Sequence, residues 1–167
     1  MKIRTILNSG DVVRFHNHTG IDKQRNSEHQ WGVALILQHI YPKCSKELLL
    51  AALTHDAHEY YVGDIPANVK WNNAELKRIL EDIEYNWEVE NDVYFDLHSE
   101  EEYYLKIADS LEGMVYCIKQ VRLGNINAKR PYRKWREFLN KFLSNEKYDT
   151  IKAREYLSNI EREMEEL

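Results

Sequence analysis

The sequence predicts an all-helical protein. Three observations carry this reading: only six glycines and three prolines punctuate 167 residues, Leu, Ile, Lys and Glu recur at helical spacing, and no stretch alternates apolar and polar residues as a strand does. At this length a single core is the default, so 1–167 is read as one domain. A chain of this size buries about 70% of the surface it exposes when unfolded, and no disulfide or structural metal is needed to hold it together.

The segment from Ile3 to Phe15 reads as one or two short helices. The first well-marked helix begins at Ser27, where Gln30 completes a capping-box pattern, and its stripe Val33, Ile36, Leu37, Ile40 runs to the stop at Pro42. A second is expected from near Ser45 to Gly63. Its run Leu48-Leu49-Leu50-Ala51-Ala52-Leu53 is apolar nearly all round, as a central helix buried by its neighbours requires. A third, peripheral helix spans about Asn73 to Asn91, with Leu76, Ile79, Leu80, Ile83 and Trp87 along one face. Ser99-Glu100-Glu101-Glu102 carries another capping box and opens a long helix whose Ile107, Leu111, Met114 or Val115, Ile118 and Val121 face the core, ended by Gly124-Asn125. Beyond Pro131, the set Trp135, Phe138, Leu139, Phe142, Leu143 marks a short amphipathic helix, and Leu157, Ile160, Met164, Leu167 mark a last one.

Composition removes several classes of function. The formal net charge is −5 with 31% charged residues, which argues against a nucleic acid polymer as partner, since binding one needs a basic surface to displace counterions. A small phosphate ligand needs only a few placed cations and stays open. The apolar run ending at Leu53 is far short of the roughly 20 residues that cross a bilayer, so no membrane span is expected. Cys44 and Cys117 form no C-x-x-C pair and read as free thiols, and Met1-Lys2-Ile3-Arg4-Thr5 has no apolar signal core. A cytoplasmic location is the expectation. Gly-rich phosphate loops and dinucleotide fingerprints are lacking.

Seven histidines and the carboxylates near them are the residues able to carry chemistry. Imidazole with carboxylate is the usual ligand set for a zinc-like or cobalt-like ion. His29 opens the first clear helix, His55 and Asp56 are adjacent on the apolar second helix, and Asp109 is on the long fourth helix. Adjacent helical residues diverge by about 100°, so one ion takes both His55 and Asp56 only from above the edge between them. An Asp beside an unbroken apolar run is costly unless paired or metal-bound. A lone His-Asp pair would more often be a solvated stripe or a lysine partner.

The ordered set Ser27-Glu28-His29-Gln30-Trp31, His55-Asp56-Ala57-His58-Glu59, Gly63-Asp64-Ile65-Pro66 and Ala108-Asp109 resembles the HD-domain metal-dependent phosphohydrolases, and within them the YfbR-like deoxynucleotidases, over roughly residues 11 to 125. The resemblance implies an HD-domain helical bundle in which His29, His55, Asp56 and Asp109 bind one divalent ion, Zn2+, Co2+, Mn2+ or Fe2+, with Mg2+ accompanying the substrate phosphates. It implies catalytic roles for Asp56 and for Glu59, a general acid/base at the rim of the site. Arg14 and Phe15 stand where the family places an arginine and an aromatic against the substrate, with Phe in place of the usual Trp. Asp64 matches a residue that accepts a hydrogen bond from the sugar 3′-hydroxyl, although the same residues make good turn chemistry. Lys70 matches a lysine that approaches the outer phosphates in the short phage-borne dATP triphosphohydrolases (DatZ-like), and is otherwise a surface lysine. The run Ile65 to Trp71 is closer to that short branch.

His58 departs from the small residue usual at its position and reads as a fifth ligand, a phosphate contact or a partly exposed histidine. His16 and His18 would line the substrate mouth, while His39 and His98 read as structural or solvated. Trp31, Trp71, Trp87 and Trp135 read as core or interface aromatics. The expectation is a one-metal hydrolase acting on a 2′-deoxynucleotide. A dATP-like triphosphate, yielding deoxynucleoside and triphosphate, comes ahead of a monophosphate yielding deoxynucleoside and phosphate. A catalytically silent nucleotide-binding module is the remaining alternative. The resemblance also implies a homo-oligomer, with the aromatic-rich helices after residue 71 as interface material.

Overall fold

The computed structural model describes residues 1–66, 69, 73–144 and 147–167. Helix α1 (Ile3–Ser9) leads into an antiparallel ribbon of β1 (Val13–Arg14) and β2 (Gln24–Arg25), in which Arg14 pairs with Gln24. Then follow α2 (Asn26–Ile40), α3 (Lys46–Ala52), the one-turn α4 (Glu59–Val62), α5 (Ala74–Glu90), α6 (Ser99–Arg122), a 3-10 turn at Ile126–Ala128, α7 (Lys129–Leu143) and α8 (Ile151–Glu165). The all-helical expectation is met. The two-residue ribbon is too short to show alternation in sequence.

The central helix is α6, which packs against α2, α3, α7 and α8. Its Ile107, Ala108, Leu111, Met114 and Cys117 are fully buried, so Met114 and not Val115 fills the core position. Val33 and Leu37 of α2, Leu139 of α7 and Leu157 of α8 close on that face. A second, smaller cluster joins Ala57, Trp87 and Val93, with Ile6 and Phe95 against it. It fixes α5 to the rest of the chain through Trp87, the one buried side chain of that peripheral helix among the described residues.

Three expectations are corrected. The helix expected from Ser45 to Gly63 breaks after Ala52: Ser45 caps it, accepting from Leu48 N at 3.0 Å, but residues 53–58 form successive turns before α4. Thr54 Oγ1 donates to Leu50 O at 2.9 Å and His55 Nδ1 to Ala52 O at 2.9 Å, and these side-chain bonds to backbone carbonyls compete with helix continuation. Helix α3 is therefore short and lateral, and Leu53 is exposed. The Ser27 capping box is not made, because α2 starts one residue earlier and Ser27 Oγ donates to Gly10 O at 3.0 Å. At α6 the reciprocal carboxylate is Glu101, which accepts from His98 N at 3.2 Å, while Ser99 bonds Tyr148. Glu90 and Arg122 end their helices close to the expected stops, the second followed by Gly124 at φ +92°.

Candidate metal centre

The break at residues 53–58 lets His55 and Asp56 converge. Released from helical geometry, His55 Nε2 and Asp56 Oδ2 stand 3.4 Å apart. From α2, His29 Nε2 reaches both, 3.2 Å from His55 Nε2 and 3.5 Å from Asp56 Oδ2. From α6, Asp109 Oδ1 lies 3.2 Å from the same nitrogen. His29, His55 and Asp109 place their donor atoms within 4.8 Å of one another, and Asp56 joins them on the side of the two imidazoles. Three separated parts of the chain thus bring His29, His55 and Asp109 together, with Asp56 Oδ2 beside the two imidazoles.

The donor set fits a divalent ion. Ligand atoms about 2.0–2.2 Å from a common centre are themselves about 3.0–3.5 Å apart, the spacing that surrounds His29 Nε2. His55 Nδ1 donates to Ala52 O, so its Nε2 carries a lone pair. His29 is lifted to about 9: burial and Arg14 oppose protonation, and bonds to Asp109 and Glu112 outweigh them. Its single Nε2 proton therefore faces three acceptors at 3.2 to 3.5 Å, which one hydrogen atom cannot satisfy together. A cation at that point would satisfy all of them, and its binding would displace that proton.

Residues around the cluster hold its geometry, and sequence reasoning missed most of them. Glu112, one turn beyond Asp109 on α6, accepts from His29 Nδ1 and takes a second bond from Gln24 Nε2 at 2.7 Å. It fixes the imidazole tautomer as carboxylates do for metal-bound histidines. Gly32 makes room for it, since a Cβ there would lie 2.7 Å from Glu112 Cγ. Lys106 donates to Asp109 Oδ2 at 3.2 Å and turns Oδ1 inward. The available signal was Glu112 itself, an acid on an otherwise apolar helix face.

Glu59 is buried and accepts from Asn26 Nδ2 at 2.8 Å, while the same amide reaches Asp56 O at 3.2 Å. Burial first, then the Asp56 charge, pushes the Glu59 carboxyl up to about 8. Asp56 moves the other way: burial opposes ionisation, but His55, Arg14 and His29 hold it well below the usual carboxylate range. Asp109 is lowered likewise, burial being outweighed by Lys106 and the two histidines. Two neighbouring carboxyls thus differ in protonation at neutral pH.

Arg14, carried by the ribbon, donates through Nη1 to Asp56 Oδ2, and its buried Nε makes no hydrogen bond among the described residues. Asp64 follows Gly63 at φ +78° and faces His16 Nδ1 at 3.4 Å. Phe15 differs from expectation. Its ring is 7% exposed, stacked on Tyr116 at 5.1 Å and in T-shaped contact with Trp135 and His18, so it packs in the core. Phe15 itself sits at φ +59°, a left-handed conformation uncommon for a bulky residue. Lys70 and Trp71 lie outside the described residues. His58 is buried and turned toward Glu84, so it is neither a fifth ligand nor an exposed histidine. Trp31, expected in core or interface, is 63% exposed on α2.

Comparisons with known proteins identify the family and the fold. The sequence model of the family described as 5′-deoxynucleotidase YfbR-like matches residues 5–160. No curated protein matches the chain. Among solved structures, the HD phosphohydrolase DatZ of cyanophage S-2L, bound to dA and one catalytic Zn2+ ion, superposes with a TM-score of 0.67 at 20% identity, over 100% of this chain and 98% of that one. The fold is therefore the HD-domain helical fold.

Proposed function

Because the chain belongs to the YfbR-like 5′-deoxynucleotidase family, we propose that it is a metal-dependent phosphohydrolase of 2′-deoxynucleotides that cleaves between the 5′-oxygen and the adjoining phosphorus. The observation that carries this reading is that His55 Nε2, Asp56 Oδ2 and Asp109 Oδ1 all stand 3.2 to 3.5 Å from His29 Nε2. These four residues would hold the ion, which when bound supplies Lewis-acid polarisation of a phosphoryl oxygen and an acidified water. Zinc is favoured by the donor types, with Co2+, Mn2+ and Fe2+ as chemical alternatives.

The chain's own groups supply the rest. Glu59, protonated at neutral pH, gives its proton to the departing 5′-oxygen, and Asn26 holds the carboxyl in place. Arg14 is the phosphate cation: its fork leaves Asp56 for a phosphoryl oxygen, and its unbonded Nε offers a second donor. Asp64, whose charge reaches both Arg14 and Glu59, accepts from the sugar 3′-hydroxyl. Phe15 serves the substrate indirectly in this reading, by fixing the backbone that presents Arg14.

Within that reading a dATP-like triphosphate is favoured by the basic residues near His18. Arg130 and Lys134 on α7 are near enough for their charge to act on His18, which packs on Phe15, and in this reading they serve the outer phosphates. The resemblance assigns Lys70 to the outer phosphates too, and Mg2+ would accompany them. The monophosphate reading rests on the family description. Incubating the zinc-loaded protein with dATP, dAMP and ATP separates these readings. Deoxynucleoside with tripolyphosphate from dATP is expected. Turnover of dAMP alone would establish the monophosphatase, and no turnover of any deoxynucleotide would establish the silent module. Self-association through the exposed Trp31 and Leu35 of α2 completes the proposal.

A further inference from the structure

Apart from the four-ligand centre, one other group of titratable side chains among the described residues converges. His58, at the start of α4, and Glu84 and Glu88, one turn apart on α5, place one donor atom each within 4.8 Å of one another. Residues four apart on a helix share a face, so both carboxylates reach the imidazole from one side. His58 Nδ1 stands 3.5 Å from Glu84 Oε1. His58 is 6% exposed, and its Nδ1 makes no hydrogen bond. A buried imidazole nitrogen left without a partner is unfavourable; here it faces Glu84, and neither Glu84 nor Glu88 forms an ion pair with lysine or arginine among the described residues. Lys106 feels Glu84 only at longer range and is committed to Asp109 at 3.2 Å. Burial, and then Glu84, pushes the Glu88 carboxyl up to about 8, which marks a place poorly supplied with positive charge.

We propose that His58, Glu84 and Glu88 form a second divalent-cation site, of the Zn2+ or Co2+ class, that fastens α5 to the turn carrying His55 and Asp56. One imidazole nitrogen and two carboxylate oxygens are a donor set of borderline-soft type, and three protein ligands leave room for water. The site's place gives it a structural role. Ala57, between Asp56 and His58, packs with Trp87 of α5 in the smaller core cluster, so an ion here reinforces a contact made by the same turn that carries His55 and Asp56. None of the three side chains belongs to the hydrolytic machinery described above.

The test is the amount of Zn2+ bound per chain after equilibrium dialysis at micromolar free Zn2+, in the native protein and in Glu84→Gln/Glu88→Gln. Both substitutions lie on a mostly exposed helix and keep side-chain shape. The double variant is expected to hold one equivalent fewer, to retain deoxynucleotide turnover, and to lose part of the zinc-dependent rise in Tm. A fall from two equivalents to one supports the site. A fall from one to none also supports it, and counts separately against the four-ligand centre. Equal loading of the two proteins overturns the proposal.

Discussion

Arg14 and His29 address the same atom, Asp56 Oδ2: the guanidinium donates to it from the ribbon, and the imidazole Nε2 stands 3.5 Å away. The oxygen needed for the ion is thus shared with the cation needed for the phosphate. Removing Arg14 should strengthen metal binding while abolishing most of the hydrolysis. A charge-assisted bond to a buried carboxylate is worth about 1.5–3 kcal/mol, so Arg14→Ala should tighten Zn2+ roughly tenfold or more in a chelator competition and lower kcat/KM by about a hundredfold. Weakened metal binding in this variant would show that Arg14 supports the cluster and does not compete within it.

The Glu59 carboxyl supplies a pH signature. A general acid raised to about 8 by burial and Asp56 is competent below that value, so turnover should decline as pH rises through about 8. The stability consequence has the same sign. The unfolded chain loses this proton near the ordinary glutamate value and the folded chain keeps it to about 8, so stability falls as pH rises between the two. Glu59→Gln should remove the alkaline limb with the activity and give a higher Tm than the native protein above pH 8. An unchanged alkaline limb in residual turnover would assign it to another group.

Glu112 can be tested from two directions. Replacing it by Gln removes the charge that fixes His29, and loss of such a partner costs about 10–100-fold in metal affinity. Gly32→Ala reaches the same carboxylate sterically, because the new methyl would press on Cγ at 2.7 Å. Both variants should keep native helicity by circular dichroism and bind Zn2+ more weakly by isothermal titration. Full affinity in both would remove Glu112 from the account.

Core packing and site are joined on α6. Leu111 is fully buried between Asp109 and Glu112, so Leu111→Ala should cost about 2–5 kcal/mol in urea unfolding. Gly113→Ala, whose Cβ would meet the Trp135 ring at 2.9 Å, should cost about 1–3 kcal/mol by overpacking. Neutral behaviour of Leu111→Ala would contradict its place in the core, and neutral behaviour of Gly113→Ala would contradict the tight contact between α6 and Trp135 of α7.

The ligands were legible in the sequence because their order along the chain is a pattern, and their convergence is what the structure adds. Helix ends at Ser45 and Gly124 were readable from capping and glycine chemistry. The break at residues 53–58 was not, since Leu48 to Leu53 is strongly apolar and the bonds of Thr54 and His55 to backbone carbonyls appear only once the turn forms. Glu112, Gln24 and Asn26 escaped for a related reason. Each serves the site through a partner that lies at least 30 residues away in sequence, and local pattern carries no trace of such a pairing. Phe15 was placed by its neighbour Arg14, but burial against Tyr116 decided its role.

The central claim is that one cation is shared by α2, the turn at 53–58 and α6. Anomalous diffraction at the zinc edge from crystals grown with Zn2+ tests it most directly. The account predicts a peak about 2.1 Å from His29 Nε2, His55 Nε2, Asp56 Oδ2 and Asp109 Oδ1. Full zinc occupancy elsewhere in the molecule, with no peak among these four atoms, would contradict it.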